Sequence, residues 1–190
     1  YINKIKIKKN IITKINRFKK KNFKKNEDIL GVHFRGSTYK TARGHAFPLT
    51  TKLMVKNIKF LLKKHNYKKI FVVTEEKRYL KVLQKEFKEK IIFYNSYRMD
   101  NIDSFEINPR KKHRYLLGEE ILIETLLLSN CDGLTYIKSN VISAAIIFSK
   151  KNLNLHEVYL GLNSRNRLIS KYLWYIKSIL PHDFGGLKLS

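Results

Sequence analysis

Cysteine, proline and acidic residues are all scarce in this sequence of 190 residues. The single cysteine, Cys131, excludes an intramolecular disulfide, and no Cys/His spacing typical of a metal site is present. No apolar run approaches the roughly 20 residues that span a bilayer, and no signal peptide is recognisable. The absence of a G-x-G-x-x-G fingerprint and of a Walker loop argues against a dinucleotide-dependent dehydrogenase and against a P-loop NTPase.

Basic residues are in large excess. The 40 Lys and Arg residues against 15 Asp and Glu residues give a net charge of +25, and such a field attracts polyanions. Because the lysines are spread over nearly every segment, a compositional bias is an alternative explanation. Aromatic residues interleaved with a basic stripe, which binding of single-stranded nucleic acid requires, are not evident. We therefore expect no specific nucleic-acid partner and leave peripheral association with an anionic membrane open.

The two ends of the chain differ in composition from its middle. Residues 1–27 are predicted to be a basic helical arm or the remnant of a preceding domain, with three apolar residues at helical spacing: Ile11, Ile15 and Phe18. Because the sequence begins at Tyr1 rather than at Met, we expect a missing N-terminal domain. Residues 164–190 are predicted to form a C-terminal helix and tail. The expected packing groups of this helix are Leu168, Tyr172, Leu173, Trp174 and Ile176.

The middle segment, residues 28–163, alternates apolar strand patterns with helical patterns. The predicted strands lie at residues 28–35, 69–74, 91–94, 133–137 and 155–160. Helices between strands favour a doubly wound parallel sheet of about five strands, which is a Rossmann-like α/β fold. In such a sheet the loops that follow the strands open at one edge, where a nucleotide binds.

The first predicted strand ends in a histidine and an arginine that lie two residues apart and therefore on the same face. Arg35, followed by Gly36, would carry its guanidinium into the loop, where the planar fork can hold a phosphate. A surface arginine is the alternative. His33 could hydrogen-bond a base or a ribose, and a hydrogen-bonded core histidine is the alternative.

Two further positions suggest a binding site. Ser139, Asn140 and Val141 begin a short helix after the fourth strand, where free N–H groups favour an anion, unless Ser139 is an ordinary N-cap. Glu124 lies inside an apolar helix, and a buried carboxylate needs a partner. That partner would be a lysine or the N–H edge of guanine.

Three other charged residues receive structural interpretations. Glu119 and Glu120 lie near the start of the same helix as Glu124, where acids are favoured by the helix dipole. Arg98 is a second loop cation, for which a position at the surface is the structural alternative. None of the three is therefore predicted to belong to the site.

Four segments together resemble the nucleotide-binding half of the fucosyltransferase superfamily, which includes the rhizobial nodulation fucosyltransferases and the core α1,6-fucosyltransferases. The segments are Gly-Val-His-Phe-Arg-Gly at 31–36, Phe-Val-Val-Thr-Glu-Glu at 71–76, Gly-Glu-Glu-Ile-Leu-Ile-Glu-Thr-Leu-Leu-Leu-Ser-Asn-Cys-Asp-Gly-Leu at 118–134 and Ser-Asn-Val at 139–141. They occur in the order expected for the family. The resemblance covers about residues 29–148.

This resemblance implies one half of a GT-B enzyme that transfers fucose from GDP-fucose to a glycan acceptor, with inversion and without a metal or other cofactor. His33 and Glu124 would hold guanine. Arg35 would hold the β-phosphate and act as the catalytic residue that stabilises departing GDP, and the turn of Ser139, Asn140 and Val141 would contact phosphate. The partners would be the nucleotide sugar and the acceptor, and we expect a cytoplasmic location.

The sequence departs from the family pattern at three places. Thr38 and Glu124 stand where aspartates are usual, and Glu75-Glu76 replaces an Asp-Asp pair. Loss of the loop acid at Thr38 bears on catalysis more than on nucleotide binding. Two alternatives therefore remain: a basic module that binds nucleic acid or an anionic membrane, and a catalytically degenerate nucleotide-sugar fold.

Overall fold

In the computed structural model, residues 5–100 and 104–188 are described. The strands are β1 (Ile29–His33), β2 (Lys69–Val73), β3 (Ile91–Ile92), β4 (Gly133–Tyr136) and β5 (Asn154–Glu157). The helices are α1 (Lys9–Asn22), α2 (Thr51–Lys64), α3 (Lys77–Phe87), α4 (His113–Leu128), α5 (Asn140–Phe148) and α6 (Arg167–Ile179). Short 3-10 turns occupy Ser37–Lys40, Lys88–Lys90, Ser104–Glu106 and His182–Phe184.

The five strands form one parallel sheet in the order β3-β2-β1-β4-β5. The chain builds the sheet outward from β1 to β3 and then crosses back to add β4 on the other side of β1. The point where the strand order reverses therefore lies between β1 and β4, and ligands of doubly wound sheets bind there. The prediction of a Rossmann-like α/β fold is confirmed.

Helices cover both faces of the sheet because alternate strand residues point to opposite sides. Leu30 and Val32 of β1 pack with α2 and α3. Ile29, from the same strand, faces the core that α1, α4 and α5 share. All five residues of β1 are buried, as expected for a central parallel strand.

The basic helix α1 belongs to this second core. Its Ile11 and Ile15 are buried, whereas Ile12 is 44% exposed. The apolar stripe therefore packs on the sheet side, against α4, while the lysines lie outside.

The prediction for the packing face of α6 is wrong at three positions. Leu168, Tyr172 and Ile176 are 69%, 63% and 50% exposed, whereas Trp174 is buried and its indole N–H donates to the Pro48 carbonyl at 2.8 Å. Apolar residues occur on both sides of this helix, so spacing alone does not identify the inward face. None of the helices in the described ranges is both long and apolar enough to cross a membrane.

The two isoleucines on α1 give a matched test of its packing. Ile15→Ala should lower the free energy of unfolding by about 2–4 kcal/mol because it leaves a cavity against α4 and the sheet. Ile12→Ala makes the same chemical change at an exposed position of the same helix and should cost less than about 1 kcal/mol. Urea unfolding of the two variants measures the difference, and equal losses would show that α1 is not packed as described.

Candidate functional site

A pocket opens beyond the carboxyl ends of the strands. Residues that follow β1, β2 and β3 line it, together with one face of α4 and the start of α5. Its cavity volume is about 140 Å³, which is below the 300–1,000 Å³ typical of complete small-molecule sites. The pocket can therefore enclose one end of a nucleotide while the rest of the ligand lies toward the open side.

Arg35 lies on the pocket wall directly after β1. Its guanidinium carbon is 3.8 Å from the centre of the Tyr39 ring, and Nη1 donates to the Tyr39 hydroxyl at 3.1 Å. The Nε atom is 3.7 Å from Oε1 of Glu75 and makes no hydrogen bond within the described residues. Stacking on Tyr39 and the contact with Glu75 thus fix the orientation of the guanidinium on the pocket wall.

Close packing fixes the loop that follows Arg35. The Gly36 N–H donates to Oε1 of Glu75 at 3.1 Å. A Cβ at Gly36 would lie 2.2 Å from Oε1 of Glu76 and 2.5 Å from Cε2 of Tyr79. Glycine therefore permits the loop to lie directly against the segment that begins α3.

His33 is buried at the end of β1 and lines the same pocket. Burial, with a smaller contribution from the Arg35 charge, lowers the pKa of His33 from 6.5 to about 3. The imidazole is therefore neutral at physiological pH, and its Nδ1 lies 3.4 Å from the Ser139 hydroxyl. A neutral ring can donate one hydrogen bond and accept another.

The turn between β4 and α5 is arranged as an N-cap. The Ser139 hydroxyl accepts a hydrogen bond from the Ile142 N–H at 3.4 Å. Val141 lines the pocket, whereas Asn140 is exposed and outside the pocket lining. The first N–H groups of α5 have no acceptors within the helix, so this end can attract an anion.

Glu124 lies on the inner side of α4 and contributes to the pocket wall. Burial raises its pKa from 4.5 to about 7, although the positive charge of Arg98 lowers it. Nη2 of Arg98 donates to Oε1 of Glu124 at 2.9 Å. Of the two alternatives for its partner, the lysine is wrong, because an arginine occupies that place.

Arg98 differs most from its expected position, because it is buried. It is only 9% exposed, not a surface cation, and it also donates to the backbone carbonyls of Thr74, Ser96 and Tyr94 at 2.9–3.0 Å. A buried carboxylate in the sequence was a signal that a buried cation must accompany it. The loop after β3 can supply that cation because it opens at the same edge of the sheet as the loops after β1 and β2.

Glu120 also lies at the pocket, in addition to its position near the start of α4. Its two carboxylate oxygens accept from Nη1 and Nη2 of Arg110 at 2.7 and 2.8 Å. Oε2 of Glu120 also accepts a hydrogen bond from the Tyr97 N–H at 3.2 Å. This bidentate pair fastens the loop between β3 and α4 beside the site.

The two glutamates after β2 have different surroundings. Glu75 and Thr38 line the pocket. Glu76 is fully buried, with Oε1 3.2 Å from Nζ of Lys40 and Oε2 2.6 Å from Nε of Arg78. Among the described residues, no three His, Cys, Asp or Glu side chains are grouped to hold a metal ion.

Known structures share this architecture, although no family profile and no curated protein matches the sequence. The α-1,6-fucosyltransferase NodZ co-crystallised with GDP matches with a TM-score of 0.53 at 16% identity, over 78% of this chain and 44% of that chain. NodZ from Bradyrhizobium gives a TM-score of 0.51 at 16% identity over the same shares. The chain has a fucosyltransferase fold. POFUT1 with GDP-fucose has a TM-score of 0.49 at 10% identity.

The fucosyltransferase fold brings most of the predicted site residues to one pocket. His33, Arg35, Glu124 and Val141 line it, and Ser139 contacts His33. Asn140 is the predicted residue whose side chain lies apart from these. The chain spans 44% of the length of the NodZ chains cited above.

Burial of His33 should make the folded protein less stable as the pH falls. Its pKa is about 3 in the folded protein and 6.5 without burial, so protonation favours the unfolded chain as pH falls from 6.5 toward 3. The loss approaches about 1.4 kcal/mol per pH unit. His33→Asn removes this titration, so urea unfolding should show a smaller loss between about pH 6 and 4 than in wild type. Parallel losses in the two proteins would contradict a neutral buried His33.

Proposed function

We propose that this chain supplies the donor-binding domain of a fucosyltransferase-like glycosyltransferase, which transfers fucose from GDP-fucose to a glycan acceptor. The observation that carries the proposal is the pairing of opposite chemistries in one pocket. Glu124 offers acceptor oxygens to the N–H edge of guanine, and Arg35 offers donors to phosphate. NodZ, which has the same fold, was co-crystallised with GDP.

The proposed mechanism needs little beyond positioned hydrogen-bond donors. As the bond between fucose and the diphosphate breaks, negative charge grows on the departing GDP. The guanidinium of Arg35 and the N–H groups at the start of α5 would stabilise that charge, and one such donor is worth about 3–4 kcal/mol. Neutral His33 would hydrogen-bond the nucleoside, and we propose that no metal takes part.

The acceptor side of the reaction belongs to the same proposal. Because the chain spans 44% of the NodZ chain, we propose that further protein structure completes the acceptor site and that this chain alone binds the donor without transferring fucose. The acceptor hydroxyl would approach from the open side of the pocket, opposite the departing diphosphate.

A catalytically degenerate nucleotide-sugar fold is the second candidate. Thr38 lines the pocket at the place where the resemblance leads us to expect an aspartate. That candidate retains the fold without nucleotide binding, whereas the donor-binding domain has measurable affinity for GDP. Calorimetry with GDP therefore separates the two.

Arg35 and Arg43 provide a test of the phosphate contact. Arg35→Ala should weaken GDP binding by about 1.5–3 kcal/mol, because a charged hydrogen-bond donor is lost, and should abolish transfer in an enzyme that contains the acceptor site. Arg43 is an exposed arginine in the same loop, so Arg43→Ala controls for the loss of one positive charge. Calorimetry with GDP measures both changes, and equal effects would remove Arg35 from the proposed site.

Glu124 provides a test of base selection. The wild-type chain should bind GDP more tightly than UDP, because uracil lacks the paired N–H donors of guanine. Glu124→Gln replaces one acceptor oxygen by a donor and should reduce this preference by at least about tenfold, or 1.4 kcal/mol. Competition between GDP and UDP measures the preference. Equal affinity of the wild-type chain for the two nucleotides would exclude guanine recognition by Glu124.

A further inference from the structure

Arg98 connects three parts of the pocket wall through one guanidinium group. Nε donates to the Thr74 carbonyl at 3.0 Å, directly after β2, and Nη1 donates to the Ser96 carbonyl at 3.0 Å. Nη2 donates at 2.9 Å both to the Tyr94 carbonyl and to Oε1 of Glu124. The ends of β2 and β3 are thereby fixed to the inner face of α4.

This arrangement requires the planar fork of arginine. Three of its nitrogens donate in different directions within one plane, whereas a lysine ammonium is a compact point charge on a flexible stem. Three of the four acceptors are backbone carbonyls, so the position of the guanidinium is set by the fold. Glu124 is the one side chain among the acceptors, and its carboxyl is therefore held in a fixed place.

Arg98 also affects the protonation of Glu124, because its positive charge favours the ionised carboxylate. Burial is the main factor that disfavours a negative charge on Glu124, and the charges of Glu120 on the same helix and Glu75 after β2 add to it. Arg98 is the positive group that opposes them. An ionised carboxyl accepts hydrogen bonds at both oxygens, whereas protonation turns one oxygen into a donor. This balance therefore affects how well Glu124 can accept the N–H groups of guanine.

We propose that Arg98 is the positioning residue for guanine recognition, because it anchors Oε1 of Glu124 and favours the ionised carboxylate, so that Oε2 can accept from the ligand. The inference rests on the proposed function, since it assumes that the pocket binds a guanine nucleotide. Arg98 itself need not touch the base, and it acts through Glu124.

The pH dependence of binding distinguishes positioning from a purely structural role. GDP-fucose is the probe because its diphosphate is esterified at both ends and keeps its charge over the range studied. Wild-type affinity should rise about tenfold per pH unit below the pKa of Glu124 and then reach a plateau. In Arg98→Gln the midpoint should move upward by about 1–3 pH units, with at least tenfold weaker binding at neutral pH. Binding should recover as the pH rises, up to the alkaline range in which guanine N1 itself loses its proton.

Matched variants control for charge and for folding. Arg114 is exposed on the same helix as Glu124, so Arg114→Gln removes an equal charge and should leave the midpoint in place. Arg98→Lys keeps the charge without the fork, so its midpoint should move less than that of Arg98→Gln while its affinity still falls. Fluorescence of Trp174, which is buried against a different part of the fold, verifies that each variant is folded.

The Glu124 carboxyl can also be titrated without a ligand. Carbon NMR of the labelled side chain should show a higher pKa in Arg98→Gln than in wild type, and an unchanged pKa would overturn the inference. A uniform loss of affinity at every pH would also overturn it, because Arg98 would then be only structural. Failure of wild type to bind GDP-fucose at any pH would instead refute the proposed function itself.

Discussion

The pocket depends on a negative charge that the fold holds away from water. The carboxyl of Glu124 lies under α4, where burial favours its protonated form. An unpaired ion in such a place costs several kcal/mol, and removal of one partner from a buried pair typically costs about 3–5 kcal/mol. Arg98 supplies the positive partner, with its Nη2 2.9 Å from Oε1 of Glu124. Because its remaining donors bind three carbonyls, the same residue also satisfies the loop backbone.

The pocket differs from the basic surface because each of its glutamates lies beside an arginine. The chain carries +25 overall, yet three glutamates, Glu75, Glu120 and Glu124, line the pocket beside Arg35. The field of the whole surface would speed the approach of an anionic nucleotide but would be screened beyond about 10 Å at 0.1 M salt. Local contacts must then decide how the ligand is oriented.

Much of the fold could be predicted from the sequence because each strand is a short apolar run bounded by polar turns. The reversal between β1 and β4, which places His33 near Ser139, does not follow from parallel pairing alone and is seen only in the structure. The partner of Glu124 could not be derived in the same way, because Arg98 lies in a segment without periodicity and is fixed by backbone carbonyls. The inward face of α6 was also unpredictable, since both of its sides carry apolar residues.

The distribution of charge within the pocket favours one orientation of the proposed ligand. On the side beneath α4, Glu124 can accept the N–H donors of a base, and the guanidinium groups of Arg98 and Arg110 beside it are already bound to Glu124 and Glu120. Arg35 and the start of α5 form the opposite kind of surface, with a guanidinium on the pocket wall and free backbone donors. A nucleotide diphosphate placed the other way round would set its phosphates against carboxylates. The proposed donor therefore inserts its base beneath α4 and leaves its sugar on the open side.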